Sequence, residues 1–197
     1  MTAVFLYKKP LFEVLQYAVK GVERYVKCND IYVIGDVPDW WQYKSIPVKA
    51  DSCRFQDVYN KYQRITEIDD DILLMADDIF ITKPYKPIQY YNSKLKDRPM
   101  KGDRAKVFQN TLSMYPEINN FNLHRPVPVR KKIIKRTMSI FNKPFSHDAF
   151  CFGYPTKQAE DCKFRQRFTY DQCKDMDMFS TFNEGDWLIE ILEKIYN

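Results

Sequence analysis

Glycine is scarce, with five residues in a chain of 197. None of them falls into a G-x-x-x-x-G-K-[ST] or G-x-G-x-x-G pattern, and H-E-x-x-H and G-x-S-x-G are missing too. Phosphate cradling by a glycine-rich loop, zinc-peptidase chemistry and a serine nucleophile elbow are thereby excluded. Any phosphate must be met by side-chain cations or by a metal. The five cysteines are odd in number and contain no C-x-x-C. With no signal-like start, reduced thiols and a cytoplasmic location are expected rather than a disulfide frame or a zinc knuckle. Long apolar runs are also lacking. Residues 31–34 and 72–75 are each cut off by carboxylates, far short of the ~18 residues of a membrane span.

What remains is a folded composition, 45% apolar with 14 Tyr and 14 Phe, so disorder is excluded. A net charge of +5 suits nucleotides, phosphosugars or nucleic acid without demanding a polyanion. Residues 4–7 form a short β-prone run. After Pro10, apolar residues at 11, 15, 18, 19 and 22 recur at helical spacing, and residues 31–34 make a second buried strand. This β-α-β unit predicts a parallel sheet. Residues 46–48 suggest a brief strand, 52–67 a helix, and 72–75 a central strand that runs directly into Ala76-Asp77-Asp78. The spacing further predicts a short strand at 79–82, a mobile polar loop at 90–103, and helices over 105–114, 129–140 and 184–196. No linker or repeat interrupts the chain. The expectation is one α/β domain, with a nucleotide-binding half at 1–84 and an acceptor-side half at 85–197.

Ligands of open α/β sheets sit at the carboxyl ends of strands. Adjacent carboxylates at such an end are costly unless a cation compensates them, and a divalent metal bridging a diphosphate would do so. Asp78 is therefore the candidate metal ligand, with Asp77 beside it or on the sugar or ribose; an ordinary Asp-rich turn is the alternative. Tyr7 and Asp36, at the ends of the first two strands, are candidate nucleotide-sugar contacts. Arg54, Lys61 and Arg64 lie along the second helix, and Arg54 and Lys61 are assigned to the diphosphate; a solvated helix face competes with that reading. The run Asp69-Asp70-Asp71 precedes its strand and reads as a solvated loop at the opposite edge. Arg130, Lys131, Lys132, Lys135 and Arg136 form a basic helix face that could meet nucleic acid but is also routine for an amphipathic helix.

His124 and Arg125 stand in a proline-rich segment, where an imidazole could serve as base and a guanidinium as phosphate clamp; a turn-capping histidine is the alternative. Asp161 and Lys163 alternate and could face one side of a strand, as catalytic groups or as a plain ion pair. Trp40 and Trp41 could stack on a base or pack on the sheet.

The segment Leu74-Met75-Ala76-Asp77-Asp78-Ile79-Phe80-Ile81-Thr82-Lys83-Pro84, with residues 11–23, 31–41 and Arg64-Ile65 ahead of it, resembles the second conserved block of Stealth-type sugar-phosphate transferases. Residues 122–129 (Asn-Leu-His-Arg-Pro-Val-Pro-Val), 160–163 and 180–187 are similar, in order, to segments of short phage proteins described as glycosyltransferases. Ala76 departs from the polar residue usual before the acidic pair. The resemblance implies a GT-A-like fold with a mostly parallel sheet flanked by helices, and Mn²⁺ or Mg²⁺ at Asp78 and Asp77. It also implies completion of the metal shell by His147 or Asp148, a UDP-sugar ahead of other donors, and an acceptor hydroxyl on DNA, protein or glycan. Two other readings stay open: sugar-1-phosphate transfer, and a non-catalytic module that binds nucleic acid or protein.

Overall fold

A computed structural model describes residues 1–9, 13–99, 101–164, 167–181 and 185–197. β1 (Thr2–Tyr7) is buried along almost its whole length, as befits a central strand covered on both faces. It pairs in parallel with β2 (Ile31–Gly35) in the register Ala3↔Ile31 to Tyr7↔Gly35, and with β4 (Ile72–Met75) in the register Thr2↔Ile72 to Phe5↔Met75. β3 (Lys44–Pro47) lies outside β2. The full order is β3-β2-β1-β4-β9, with β9 (Val127–Val129) antiparallel at the edge, so the sheet is mixed rather than purely parallel. The chain winds outward from β1 to β3 and then crosses back to β4. The reversal point, where such sheets bind ligands, lies between the carboxyl ends of β1 and β4.

Side chains alternate across this sheet. Phe5, Tyr7, Leu73 and Met75 pack against α1 (Leu15–Tyr25) and α6 (Asp186–Tyr196) on one face. Val4, Ile34 and Leu74 meet α2 (Arg54–Ile65), α3 (Gly102–Met114) and α4 (Lys131–Ile140) on the other. β5 (Ile79–Ile81) leaves the first sheet for a second one, ordered β11-β12-β5, in which β11 (Lys163–Phe164) and β12 (Met178–Thr181) run parallel and β5 antiparallel. The short α5 (Tyr170–Lys174) precedes β12, its first turn closed by a capping box between Thr169 and Gln172. Two further strand pairs complete the fold: β6 (Gln89–Tyr91) with β10 (Thr156–Gln158), and β7 (Ser93–Lys94) with β8 (Asn119–Asn120).

Three expectations are corrected. Residues 127–129 are strand, and the helix starts only at Lys131, because Pro128 supplies no N–H and suits a sheet edge; Gln89 Nε2 donates to its carbonyl at 2.8 Å. Residues 90–103 are largely ordered as β6, β7, a 3-10 turn at Leu95–Asp97 and the first turn of α3, anchored by the fully buried Leu95. The acidic run at 69–71 is bound rather than merely solvated. Asp70 pairs with the chain's terminal ammonium at 3.1 Å, Asp71 accepts from Arg130 Nη1 and the Lys131 amide at 2.8 Å each, and Lys131 also pairs with Asp69. The basic face of α4 is thus partly neutralised at the amino edge of the sheet. Pro10, the residues at 11 and 12, and those at 182–184 lie outside the described residues; among the described ones the first helix starts at Leu15, after the non-helical residues 13 and 14, and the last at Asp186.

Candidate active site

Asp77 and Asp78 form the turn that takes the chain from β4 into β5, closed by the Ile79 amide on the Ala76 carbonyl at 3.4 Å. The second sheet brings distant residues back to this turn. Lys163 Nζ on β11, 85 residues away, meets Asp78 Oδ2 at 2.5 Å, and Ser180 Oγ on β12, 102 residues away, reaches the same oxygen at 3.1 Å. The two charged side chains keep only 11% and 14% of their exposure, so the pair is largely desolvated and strengthened by its surroundings.

Asp161 follows directly. One of its oxygens accepts the Lys163 backbone N–H at 2.9 Å, and the carboxylate faces His124 Nδ1 at 3.0 and 3.1 Å. Burial opposes ionisation of Asp161, but the His124 contact, the Lys163 amide and the Lys163 ammonium together hold its carboxyl below the usual range. When neutral His124 donates Nδ1–H to Asp161, its basic lone pair is on Nε2, the arrangement of an oriented general base. His124 adopts φ +47, a left-handed conformation rare outside glycine, and the Cys162 thiol donates to its carbonyl at 2.6 Å. The backbone strain is thus tied to the residue whose ring the site uses.

A second group of residues lies at the ends of β1 and β2. The Tyr7 hydroxyl bonds Glu13, and its pKa is pushed well up by burial, by Glu13, and then by the charges of Asp77 and Asp36. Asp36 Oδ2 accepts the Lys9 amide at 2.8 Å. Gly35, at φ +126, makes the exit from β2 possible: a Cβ there would lie 2.0 Å from the Tyr7 carbonyl oxygen and 2.7 Å from Lys61 Cε.

The other candidates are placed elsewhere. Lys61 is 2% exposed and paired with Asp57 at 2.6 Å beneath Gly35, so its ammonium is committed to a buried structural pair. Burial opposes the Asp57 charge, yet Lys61 and the Asp51 amide hold that carboxyl low. The Lys61–Arg64 face divides, since Arg64 pairs with Glu67. Arg125 donates to the Glu160 carbonyl at 3.3 Å and lies over the Tyr90 ring at 4.7 Å, which pins the 160s loop. Arg54 opens α2 on the opposite face from Tyr7. His147 begins a 3-10 turn (His147–Phe150) whose Asp148 is fully buried and accepts the Phe121 amide at 2.6 Å. Trp41 packs edge-on against Phe5 and Tyr43, while Trp40 is exposed. The depression of about 680 Å³ lined by Glu23, Asn29, Asp30 and Lys44 belongs to the amino end of β2, away from the acidic pair.

Among the described residues no three His, Cys, Asp or Glu side chains gather as a metal cage, and His147 joins no such group. A pair of carboxylates nevertheless suits a divalent ion that takes its remaining ligands from substrate phosphate. The Asp77–Asp78 turn offers two adjacent carboxylates, of which Asp78 Oδ2 is already bonded by Lys163 and Ser180. Sequence reasoning missed Glu13 and Ser180. Glu13 also accepts the Leu15 amide at 3.2 Å at the start of α1 and carries no local pattern that marks it, while Ser180, on the buried β12, falls only within the 180–187 resemblance, which gives it no role.

No family model matches the chain, and no curated protein matches it. Among solved structures it resembles a 4-diphosphocytidyl-2C-methyl-D-erythritol synthase from Anaerococcus prevotii at 10% identity and a TM-score of 0.46, over 81% of this chain and 86% of that one. It also resembles the apo form of the glycosyltransferase GlyE of Streptococcus pneumoniae at 14% identity and a TM-score of 0.34, over 83% of this chain and 46% of that one. No helix among the described residues is long and apolar enough to cross a membrane.

Proposed function

We propose that this chain is a GT-A-like glycosyltransferase that moves a sugar from a nucleotide-sugar donor, a UDP-sugar first among them, to an acceptor hydroxyl. The observation that carries the reading is the meeting, at one turn beyond β4, of a desolvated Lys163–Asp78 pair with an Asp161-oriented His124. His124 Nε2 takes the proton of the acceptor hydroxyl, whose oxygen bonds the anomeric carbon. The bond from that carbon to the nucleoside diphosphate breaks, and its electron pair leaves on the diphosphate oxygen. Lys163 is the cation positioned to meet that charge, so catalysis is mainly placement and electrostatic stabilisation. Asp36 and Asp77 supply acceptors for the donor's ribose and sugar, whereas Tyr7, 1% exposed and bonded to Glu13, is a buried support. Asp78 and Asp77 would hold Mn²⁺ or Mg²⁺, which when bound neutralises diphosphate oxygens.

The test is thermal unfolding against UDP-, GDP-, CMP- and dTDP-sugars, with and without Mn²⁺, on wild type and Asp78→Ala. A ligand at ~100 times its Kd adds ~2.7 kcal/mol and raises the midpoint by several degrees. Stabilisation by one nucleotide class that Asp78→Ala abolishes supports the proposal. A flat panel refutes it in favour of a binding module. Product analysis then separates release of nucleoside diphosphate from the nucleoside monophosphate of sugar-1-phosphate transfer.

A further inference from the structure

The basic side chains that the Asp78 site leaves unused gather on the α2–α3 face. Arg54 opens α2, Arg104 lies in the first turn of α3, and Arg98 closes the 3-10 turn before it. Arg98 and Arg104 flank Phe108, their guanidinium carbons 5.5 and 5.3 Å from the ring centroid. With its amide oxygen turned toward them, Asn122 accepts from Arg104 Nη2 at 2.7 Å and from Arg98 Nη1 at 3.1 Å. Burial, then the charges of Arg98 and Arg54, hold the Arg104 guanidinium below the ordinary arginine range.

Among the described residues no carboxylate forms an ion pair with any of these arginines. Asp148, whose charge also reaches Arg104, is fully buried and committed to the Phe121 amide and the Ser146 hydroxyl. Like charges held together in this way repel, and a bound anion relieves the repulsion. The guanidinium fork matches phosphate oxygens in two-point fashion, which makes phosphate the fitting anion. The cluster also has a defined place relative to the chemistry. Asn122, which bonds both arginines, is two residues from His124.

We propose that Arg54, Arg98 and Arg104 form a phosphate subsite for the acceptor, so that the hydroxyl presented to His124 belongs to a phosphate ester. The acceptor half of this statement rests on the transferase reading; the anion site does not.

The probe is inorganic phosphate, titrated calorimetrically at low salt into wild type, Arg98→Gln, Arg104→Gln and, as a control on exposed α4, Arg136→Gln. Wild type and Arg136→Gln should bind with equal affinity. Arg98→Gln and Arg104→Gln should each bind at least tenfold more weakly, the size of one lost charge-assisted bond. Absence of binding by wild type, or affinities of the two variants within twofold of it, overturns the site. Arg98 Nη1 also donates to Asn120 Oδ1 at 3.0 Å and both arginines bond Asn122, so without phosphate both variants should melt no more than a few degrees below wild type. If they melt lower than this, Arg54→Gln, which takes no part in the Asn122 bonds, decides by the same tenfold criterion. UDP distinguishes the source: simultaneous binding of UDP and phosphate supports an acceptor subsite, whereas competition assigns the arginines to the donor diphosphate and overturns it. A donor panel that shifts nothing while phosphate still binds removes the transferase reading and leaves the anion site standing.

Discussion

Lys163→Met removes the ammonium from the centre of the site while keeping an unbranched apolar stem of similar length. Among the described residues Asp78 would then retain the Ser180 hydroxyl, at 3.1 Å, as its side-chain donor. Removing one partner of a buried ion pair costs ~3–5 kcal/mol, because the other charge is left uncompensated. The residual exposure of 11% and 14% lets some water reach the orphaned carboxylate, so the lower end applies, ~3 kcal/mol by the same principle. For a chain of 197 residues each kcal/mol moves the midpoint by ~2–4 °C, which gives a fall of ~6–12 °C at pH 7. Asp78→Asn removes the charge of the other partner of the same pair and should cost a similar amount. The Asp78→Asn/Lys163→Met double variant removes both partners of the pair at once, so its loss should fall short of the sum of the single losses by more than ~1.5 kcal/mol. Calorimetry and urea titration of the four proteins read this directly. Single losses below ~0.5 kcal/mol, or simple additivity, would refute the claim that a desolvated pair organises the turn.

The Asp161 carboxyl is held low in the fold, so the stability it contributes is present above its unfolded value of about 3.9 and is lost as pH falls through the lower folded one. His124→Asn, which tolerates the left-handed backbone, should therefore flatten the acid limb of midpoint against pH below about pH 4; parallel limbs would contradict the pairing. Under the transferase reading, His124→Asn and Asp161→Asn should each lower kcat by ~10²–10⁴ with donor KM little changed, measured by initial rates; a change confined to KM would assign them to binding. Gly35→Ala should cost more than ~1 kcal/mol in urea unfolding, because the backbone is left-handed and the Tyr7 carbonyl leaves no room; a neutral result would place the β2 exit differently.

How much of this was legible in the sequence depends on range. The β-α-β start, the helix near 54–65 and the strand into Asp77–Asp78 were readable because apolar periodicity is local, and the structure places their boundaries within a few residues. Residues 127–129 misled because an apolar stretch reads equally as helix start or edge strand until its sheet partner is known; Pro128 was the local signal for the edge. Residues 90–103 misled because short strands with polar exteriors lack any periodic mark. Lys61 was misassigned to an exposed face because pairing with Asp57 one helical turn earlier hides a lysine that composition marks as surface.

The site itself shows the same division more sharply. The acidic pair is recognisable from its own neighbourhood: a buried strand ends in two carboxylates. Lys163 is itself a candidate from the sequence, but its pairing with Asp78 is not legible there, because Lys163 and Ser180 arrive only when β5 leaves the first sheet and pairs with β12, and β11 pairs with β12 in turn. Each of those pairings has a short register, and no local rule within 160–181 names Asp78 as the target. Yet once β5 is in place the consequence is forced. Lys163↔Ser180 is the register of β11 on β12, and Ser180↔Ile79 that of β12 on β5, so both residues are aligned beside the residue that follows Asp78. The backbone ladder therefore delivers the ammonium and the hydroxyl to one carboxylate oxygen, and Asp161, two residues before Lys163, carries His124 with it. A one-residue slip in either pairing would turn Lys163 or Ser180 to the opposite face of the second sheet and dismantle the site while leaving the first sheet intact.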